Sequence, residues 1–180
     1  MNSDRAVFGR SVTPMEEFDV GLVLLRFVFG LFLAYHGWNK IFGGNGLSGT
    51  AGWFESIGMR RPALQARLAA GTEISAGVAF TLGLFTPLSA AAIIGVMFVA
   101  IVVAHWKVGF FVFLPEQGWE YCASIITVAL AVAIMGPGQW SLDHALGIHL
   151  DGWTGAALAA GVGLGGALVQ LAISYRPERR

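Results

Sequence analysis

The stretch VGLVLLRFVFGLFLAYHGWNKIF, residues 20–42, decides the fold of this chain. This apolar run is longer than the roughly 20 residues that an α-helix needs to cross a bilayer. Four further apolar runs follow it, at residues 64–84, 88–106, 120–135 and 153–174. The composition agrees, because 56% of the 180 residues are hydrophobic and only 12% are charged, about half the charged share of a soluble domain. The sequence therefore predicts an all-α membrane protein, with a four-helix transmembrane bundle and a fifth, C-terminal transmembrane helix.

The segments outside these runs divide the chain into three parts. Residues 1–18 are polar and lack the apolar core of a signal peptide. Residues 19–147 hold the four-helix membrane domain, including a segment near residues 50–59 that we expect to lie along the bilayer surface. Residues 148–180 hold the fifth helix and a basic C-terminal tail, and the GVGLG sequence of that helix would permit close approach of a second helix.

The positions of tryptophan support these spans. All six tryptophans fall at a predicted helix end or in a loop, where the indole N–H can stay in the wet interface: Trp38, Trp53, Trp106, Trp119, Trp140 and Trp153. In the segment near residues 50–59, Trp53, Phe54 and Ile57 share one helical face. We therefore expect these three side chains to lie among the lipid headgroups.

The distribution of basic residues predicts how the bundle sits in the membrane. Because successive spans alternate in direction, one membrane face receives the first and third loops and the C-terminus. That face carries eight basic residues: Lys40, Arg60, Arg61, Arg67, Lys107, Arg176, Arg179 and Arg180. The other face carries only Arg5 and Arg10. By the positive-inside rule we expect a multi-pass plasma-membrane protein with its N-terminus outside and its C-terminus in the cytoplasm.

Ionisable groups in the spans are candidate functional residues, because a charge at the bilayer centre costs about 2.5–3.5 kcal/mol. Six candidates lie within the spans or at their ends: Arg26, His36, Lys40, Glu73, His105 and Glu120. The alternating helix directions bring all of them except Arg26 towards one membrane face. Arg26 and Lys40 share a helical stripe of the first span. Two glycines on that stripe, Gly30 and Gly37, would let a neighbouring helix approach the charged side chains.

The same six residues allow three interpretations. They could be structural charge pairs that fix the helix register, for example Arg26 with Glu73 or Lys40 with Glu120. They could instead form a polar pocket that holds a small anion or a quinone headgroup and exchanges protons. The third interpretation is a haem bound between His36 and His105, although nothing else in the sequence supports it.

The remaining polar residues suggest structure rather than a site. In the fourth span, Glu120, Ser124 and Thr127 form a stripe that we expect to face the bundle interior. Cys122 is the only cysteine, which excludes an intrachain disulfide and a cysteine-rich metal site. Four residues near the opposite membrane face match no metal-site spacing, and we expect them to lie in a solvated loop: Asp143, His144, His149 and Asp151.

Three sequence motifs resemble the DoxX family of small membrane proteins. The first is LLRFVFGLFLAYHGWNKIFGG, which is similar to the family's LLR…G…H-G-x-x-K…F-G signature. The second is GTEISAGVAFTLGLFTPLSA, which is similar to its E-x-x-G…G…T segment. His105 and the stretch GWEYCASIITVALAVAIMGPGQWSLD resemble its third-helix histidine and its closing G-x-E…G-P-G-x-x-S-L-D motif. The resemblance covers roughly residues 20–147, and the fifth helix departs from the family's four-helix pattern.

The resemblance implies a role in membrane redox chemistry. DoxX-like proteins are associated with thiol and oxidative-stress systems, and the related DoxD/DoxA pair is linked to thiosulfate oxidation with electrons passed to quinone. By that analogy His36, Lys40, Glu73, His105 and Glu120 would form a quinone or small-anion site, with Arg26 as a supporting charge. His36, His105 and Glu120 would handle protons, with Glu73 as the deep proton site. Lys40 and Arg26 would attract an oxyanion.

The predicted function is therefore that of a membrane subunit of a redox system, with a quinone- or anion-binding pocket near one membrane face. The chain has no flavin, haem or iron–sulfur motif of its own, so catalysis would need a bound quinone or a partner subunit. Whether the chain is itself part of a quinone-linked oxidoreductase stays open. The alternative is a non-catalytic accessory or scaffold subunit of a larger membrane complex. We expect the lipid bilayer and other membrane subunits or further copies of the chain as partners, and no nucleic acid, because 11 basic residues balance 11 acidic ones.

Overall fold

The computed structural model describes residues 14–177, and over that range the chain is built from helices without β-strands. Seven α-helices lie in this range: α1 (Pro14–Phe42), α2 (Gly46–Ser56), α3 (Pro62–Leu82), α4 (Thr86–Ala100), α5 (Glu120–Met135), α6 (Leu142–Ala145) and α7 (Gly152–Ser174). A π-helical stretch, Ile101–His105, continues α4. The predicted all-α fold class is confirmed. Four arginines that entered the count of basic residues lie outside the described range: Arg5, Arg10, Arg179 and Arg180.

Three helices in the described range are long and apolar enough to cross a membrane, namely Glu16–Phe42, Thr86–His105 and Gly152–Ser174. α5 is a shorter apolar helix of 16 residues, which extends about 24 Å. α3 has 21 residues, enough for about 31 Å, but it is less apolar because it carries Gln65, Arg67 and Glu73. α3 packs against α1 and α4, and α5 packs against α4 and α7. The five predicted spans therefore form one bundle.

α1 and α3 approach each other backbone to backbone. A Cβ atom added at Gly30 would lie 2.6 Å from the carbonyl oxygen of Gly77, and one added at Gly37 would lie 2.7 Å from that of Ala70. No larger residue fits at these separations without moving a helix. The prediction that Gly30 and Gly37 admit a neighbouring helix is confirmed, and the neighbour is α3.

Two short helices mark the two ends of the bundle. We call the end where α1 finishes and α3 begins the α2 end, and the end between α5 and α7 the α6 end. Backbone hydrogen bonds fasten the last residues of α7 to the α2 end. The amide of Arg60 donates to the carbonyl of Ser174 at 2.7 Å, and the amide of Arg176 donates to that of Gly58 at 2.9 Å. The fifth helix is therefore an integral wall of the bundle at this end.

α2 covers most of the segment expected to lie on the bilayer surface. Trp53 is 47% exposed, as expected for a headgroup contact. Phe54 is buried with Met59 and Ala66 in a small apolar cluster, so the expectation that its ring lies among headgroups is wrong. Successive side chains of a helix point about 100° apart, so Phe54 can be buried against the bundle while the adjacent Trp53 stays exposed.

α4 is central to the main core, which α7 completes from outside. The core includes Phe80, Ile94 and Val132, each almost fully buried. α7 approaches α4 through Gly163, where an added Cβ would lie 2.6 Å from the carbonyl oxygen of Ala91. The two glycines that end the GVGLG sequence, at positions 161 and 165, face open space instead.

Candidate functional site

A cavity of about 710 Å³ lies at the α2 end, between α1, α3, α4 and α5. Its size is in the usual range for small-molecule pockets, about 300–1,000 Å³. Five of the six predicted candidates line it: His36, Lys40, Glu73, His105 and Glu120. The rest of the lining is mostly apolar, with aromatic side chains such as Phe29, Phe32 and Trp53. We call this space the polar cavity.

The most buried charges in the polar cavity form an ion pair across α1 and α3. The Nζ atom of Lys40 lies 2.7 Å from Oε2 and 2.9 Å from Oε1 of Glu73. The Glu73 side chain is only 5% exposed. Neither predicted pair, Arg26 with Glu73 or Lys40 with Glu120, forms. Glu73 lies about 16 Å along α3, and Lys40 reaches it because Gly37 brings the two helices into contact.

His105 is held by two hydrogen bonds that fix its tautomer. Its Nδ1 atom lies 2.7 Å from the carbonyl oxygen of Gln117, and its Nε2 atom lies 2.7 Å from the hydroxyl of Tyr121. A carbonyl can only accept, so Nδ1 of His105 carries the hydrogen. In the neutral ring Nε2 is then the acceptor, and the Tyr121 hydroxyl donates to it. Tyr121 lines the polar cavity, so the pair presents a phenol oxygen to a ligand.

Both nitrogens of His105 are therefore already in use, which argues against the haem alternative. An axial ligand must offer a free nitrogen to iron. Ligation by Nε2 would displace the Tyr121 hydroxyl, and ligation by Nδ1 would break the bond to Gln117. His36 lines the cavity as an exposed side chain from the preceding turn of α1 relative to Lys40.

Glu120 anchors the loop that joins α4 to α5, residues 106–119. Its Oε2 atom accepts a hydrogen bond from the amide of Val112 at 3.2 Å. The bond from His105 to Gln117 fastens the same loop at a second point. Two cavity residues thus fasten this loop. The loop exposes several aromatic rings, of which Phe113 is 77% exposed.

Only part of the polar stripe of α5 faces the interior as expected, because Glu120 and Ser124 line the polar cavity and Thr127 does not. The side chain of Thr127 is exposed, and its hydroxyl donates to the carbonyl of Ala123 at 2.9 Å. The hydroxyl of Ser124 likewise donates to the carbonyl of Glu120 at 2.8 Å, at the edge of the polar cavity. A serine or threonine that bonds to the carbonyl four residues earlier satisfies its own hydroxyl, so it can face lipid.

A chain of amides supplies polar groups that the sequence did not single out. Gln170 of α7 donates to the side-chain oxygen of Gln65 at 2.8 Å, and Gln65 donates to the hydroxyl of Ser174 at 2.8 Å. Both glutamines line the polar cavity. In the sequence, an uncharged amide in a membrane helix looks like any residue that contacts a neighbouring helix. Only the contact of α3 with α7 shows that Gln65 and Gln170 belong to the site. The fifth helix therefore contributes to the site.

Arg26 lies far from the polar cavity. It is 1% exposed and sits near the α6 end, where one Nη atom donates to the carbonyl of Trp140 at 2.6 Å. Sharing a helical stripe does not mean sharing a depth, because Arg26 precedes Lys40 by about 21 Å along α1. The charges of Asp143 and Asp19 act on its guanidinium. Its role as an attractor for a ligand in the polar cavity is therefore not supported by its position.

Asp143 is a buried structural residue, and the expectation of a solvated loop is wrong for it. Its carboxylate is 1% exposed. It accepts hydrogen bonds from the amide of Phe85 at 2.7 Å and from the amide and hydroxyl of Thr86 at 2.8 and 2.7 Å. These donors are the otherwise unpaired groups at the start of α4. Its neighbour His144 is exposed, as expected for a loop.

Comparison with known proteins gives two matches. A family model described as DoxX matches residues 21–106, from α1 to just beyond the π-helical stretch. A Bacillus subtilis (strain 168) protein named "Putative oxidoreductase CatD" is 30% identical over 122 residues, which cover 65% of this chain and 81% of that protein. No solved structure matches the chain. Four of the five cavity candidates fall in the range that the family model matches, and Glu120 lies beyond it.

Proposed function

We propose that this chain, which belongs to the DoxX family of integral membrane proteins, is the membrane subunit of a redox system and binds a quinone headgroup in its polar cavity. The observation that carries the proposal is the chemistry of the lining. The charge of the Lys40 ammonium group is already balanced by Glu73, and the Tyr121 hydroxyl is bonded to His105. Aromatic side chains make up much of the remaining wall.

The Lys40–Glu73 ion pair favours a neutral headgroup over a small anion. Both oxygens of the buried carboxylate lie within hydrogen-bond distance of the ammonium. An anion would therefore meet a cation that is already paired, and it would be repelled by Glu73. Two of the three N–H groups of Lys40 serve Glu73, so the third can donate to a carbonyl oxygen. A quinone offers such an oxygen without a net charge.

Tyr121 and His105 complement this donor with a hydrogen-bond acceptor. Because the Tyr121 hydrogen points to Nε2 of His105, the phenol oxygen can accept a hydrogen bond from a hydroxyl in the cavity. A proton arriving at Tyr121 could pass to His105 as the tyrosine hydrogen moves to Nε2. Glu120 lies one residue from Tyr121 and holds the loop of residues 106–119. These residues bind, orient and carry protons.

A bound quinone would supply the electron acceptor that the chain's own residues lack. Cys122 is buried, and a single cysteine cannot cycle as an intrachain dithiol. Electrons would have to arrive from a donor in a partner subunit. The Bacillus subtilis relative is named "Putative oxidoreductase CatD", and this name supports a redox role here. We also propose that the α2 end faces the cytoplasm, because it carries Arg60, Arg61 and Lys107. A cysteine introduced at Ser56, which lies at this end, should then not react with a membrane-impermeant maleimide in intact cells.

Removal of the ion pair as a unit tests the headgroup site. The variant combining Lys40→Met with Glu73→Gln leaves no unpaired buried charge, which would otherwise destabilise the fold by about 3–5 kcal/mol. We expect its dissociation constant for quinone to rise at least about tenfold, because a hydrogen bond from a charged donor is lost. The measurement is quenching of tryptophan fluorescence by quinone in lipid nanodiscs. Trp53 lines the cavity and serves as the reporter.

The control for this variant is Arg67→Gln on the exposed face of α3. It removes a charge from the same helix without touching the polar cavity, and its quinone affinity should equal that of the wild type. Equal affinity in the double variant as well would refute the headgroup site. A thermal unfolding curve for each protein in the same nanodiscs separates loss of binding from loss of fold.

One observation favours the accessory subunit as a second candidate function. α7 presents an outward face on which Gly161, Gly165 and Gly166 have open space around them. Small residues on a lipid-facing helix allow another helix to approach closely. Under this alternative, the variant Gly165→Leu would no longer co-purify with other membrane subunits. Quinone would bind neither this variant nor the wild type.

A further inference from the structure

An apolar groove adjoins the polar cavity on the side of the α6 end. The groove has a volume of about 590 Å³ and is lined by α1 residues and by Met135 at the end of α5. Phe29 lines both spaces. Because α1 packs mainly against α3 and meets α5 over only a short stretch, the two helices leave this space between them. We call it the α1–α5 groove.

One continuous face of α1 lines both spaces. At spacings of three or four residues, this face carries Phe18, Leu22, Leu25, Phe29, Leu33, His36 and Lys40. Such spacing keeps side chains on one side of a helix. From Phe18 to Lys40 the face extends about 33 Å, close to the roughly 30 Å of a bilayer's hydrocarbon core. Its polar groups lie at the α2 end, and apolar side chains fill almost all of the rest.

We propose that the α1–α5 groove holds the apolar tail of the same ligand whose headgroup binds in the polar cavity. This inference rests on the proposed function and adds the class of ligand: a quinone with a long isoprenoid tail rather than a water-soluble quinone. The head would lie near the Lys40–Glu73 pair, and the tail would pass Phe29 and follow α1 towards Phe18.

Charge complementarity disfavours a membrane phospholipid whose headgroup lies at the α2 end. A phospholipid with its chain in the groove would bring a phosphate to the α2 end of the cavity. The cation there, Lys40, is already bonded to both oxygens of Glu73, so the phosphate would find a carboxylate instead of a free positive charge. A ligand with an uncharged head avoids this repulsion.

Gly21 allows the groove to be filled without disturbing the core. It lines the α1–α5 groove, and a Cβ atom added there would meet nothing within 4 Å. Gly21→Leu should therefore fold normally and place a side chain in the path of the tail. Gly71→Leu is the matched control, because Gly71 is an exposed helical glycine of α3 with the same open surroundings and lines neither space.

The experiment measures the affinities of two probes in nanodiscs: 2-methyl-naphthoquinone, which has no tail, and the same ring with a long isoprenoid tail. We expect Gly21→Leu to raise the dissociation constant of the tailed probe about tenfold, because the tail loses its packing against α1. The affinity of the tail-less probe should not change in Gly21→Leu. Gly71→Leu should match the wild type for both probes.

The outcomes separate the two proposals. If the wild type binds neither probe, the headgroup site fails and the tail site fails with it. If the wild type binds both probes and Gly21→Leu leaves the tailed probe unaffected, the groove is filled by bilayer lipid. The headgroup site would then stand while the tail inference is overturned. Equal weakening by Gly21→Leu and Gly71→Leu would also overturn it, because the effect would then have nothing to do with the groove.

Discussion

Arg26 and Asp143 are buried charged residues near the α6 end, away from the polar cavity. Arg26 is buried in α1, and its Nε atom and one of its Nη atoms have no hydrogen-bond partner among the described residues. Asp143 is buried beside the start of α4 and takes three hydrogen bonds there. Its negative charge also acts on Arg26. The two residues therefore join α1, α4 and the α6 segment at the end opposite the polar cavity.

Asp143→Asn tests this structural role. The amide would turn an N–H group towards the donors at the start of α4, and Arg26 would lose a balancing charge. We expect the free energy of unfolding to fall by about 3 kcal/mol, as for other broken buried charge contacts. Thermal unfolding in nanodiscs measures the change. His144→Gln, an exposed neighbour, should have no effect, and an unchanged melting temperature in Asp143→Asn would contradict the account.

At the scale of elements, the contact between α1 and α3 positions the site. Gly37 lies where a Cβ atom would come within 2.9 Å of the Cβ atom of Glu73 and 2.7 Å of the carbonyl oxygen of Ala70. This closeness lets Lys40, one turn further along α1, reach a carboxylate deep in α3. The ion pair is thus a consequence of a helix contact that requires glycine.

Gly37→Ala should separate the two helices and weaken the ion pair. We expect a loss of about 1–3 kcal/mol of stability, the usual cost of overpacking, together with weaker quinone binding. Gly71→Ala is the control, because the open space around Gly71 leaves only the higher helix propensity of alanine, a gain of up to about 1 kcal/mol. If Gly37→Ala instead behaved like its control, the close contact would not be what positions Lys40.

At the scale of the whole molecule, the sequence was sufficient for the spans and for one end of the bundle. Apolar runs have a length set by the bilayer, and alternating helix directions then place His36, Lys40, His105 and Glu120 together. Depth along a helix was harder to assign, since the stripe that joins Arg26 to Lys40 spans most of the membrane.

Contacts between distant segments could not be predicted from the sequence. Asp143 looked like a loop residue because its partners at the start of α4 lie 57 and 58 positions earlier in the chain. Tyr121 and Gln170 carry no charge, so nothing in the sequence separates them from ordinary residues of an apolar helix. They become part of the site only when α4, α5 and α7 pack around the same cavity.

The central claim is that the polar cavity binds a quinone, and photolabelling tests it most directly. A quinone with a photoreactive ring would be irradiated with the wild-type protein in nanodiscs, and the labelled residues would be located by mass spectrometry. We expect labels on cavity residues, namely in α1 between Phe32 and Lys40 and near Tyr121. Excess unlabelled quinone should prevent them, and the Lys40→Met and Glu73→Gln double variant should lack them. Labels spread over the outward face of α7, or labels that excess quinone does not prevent, would contradict the account.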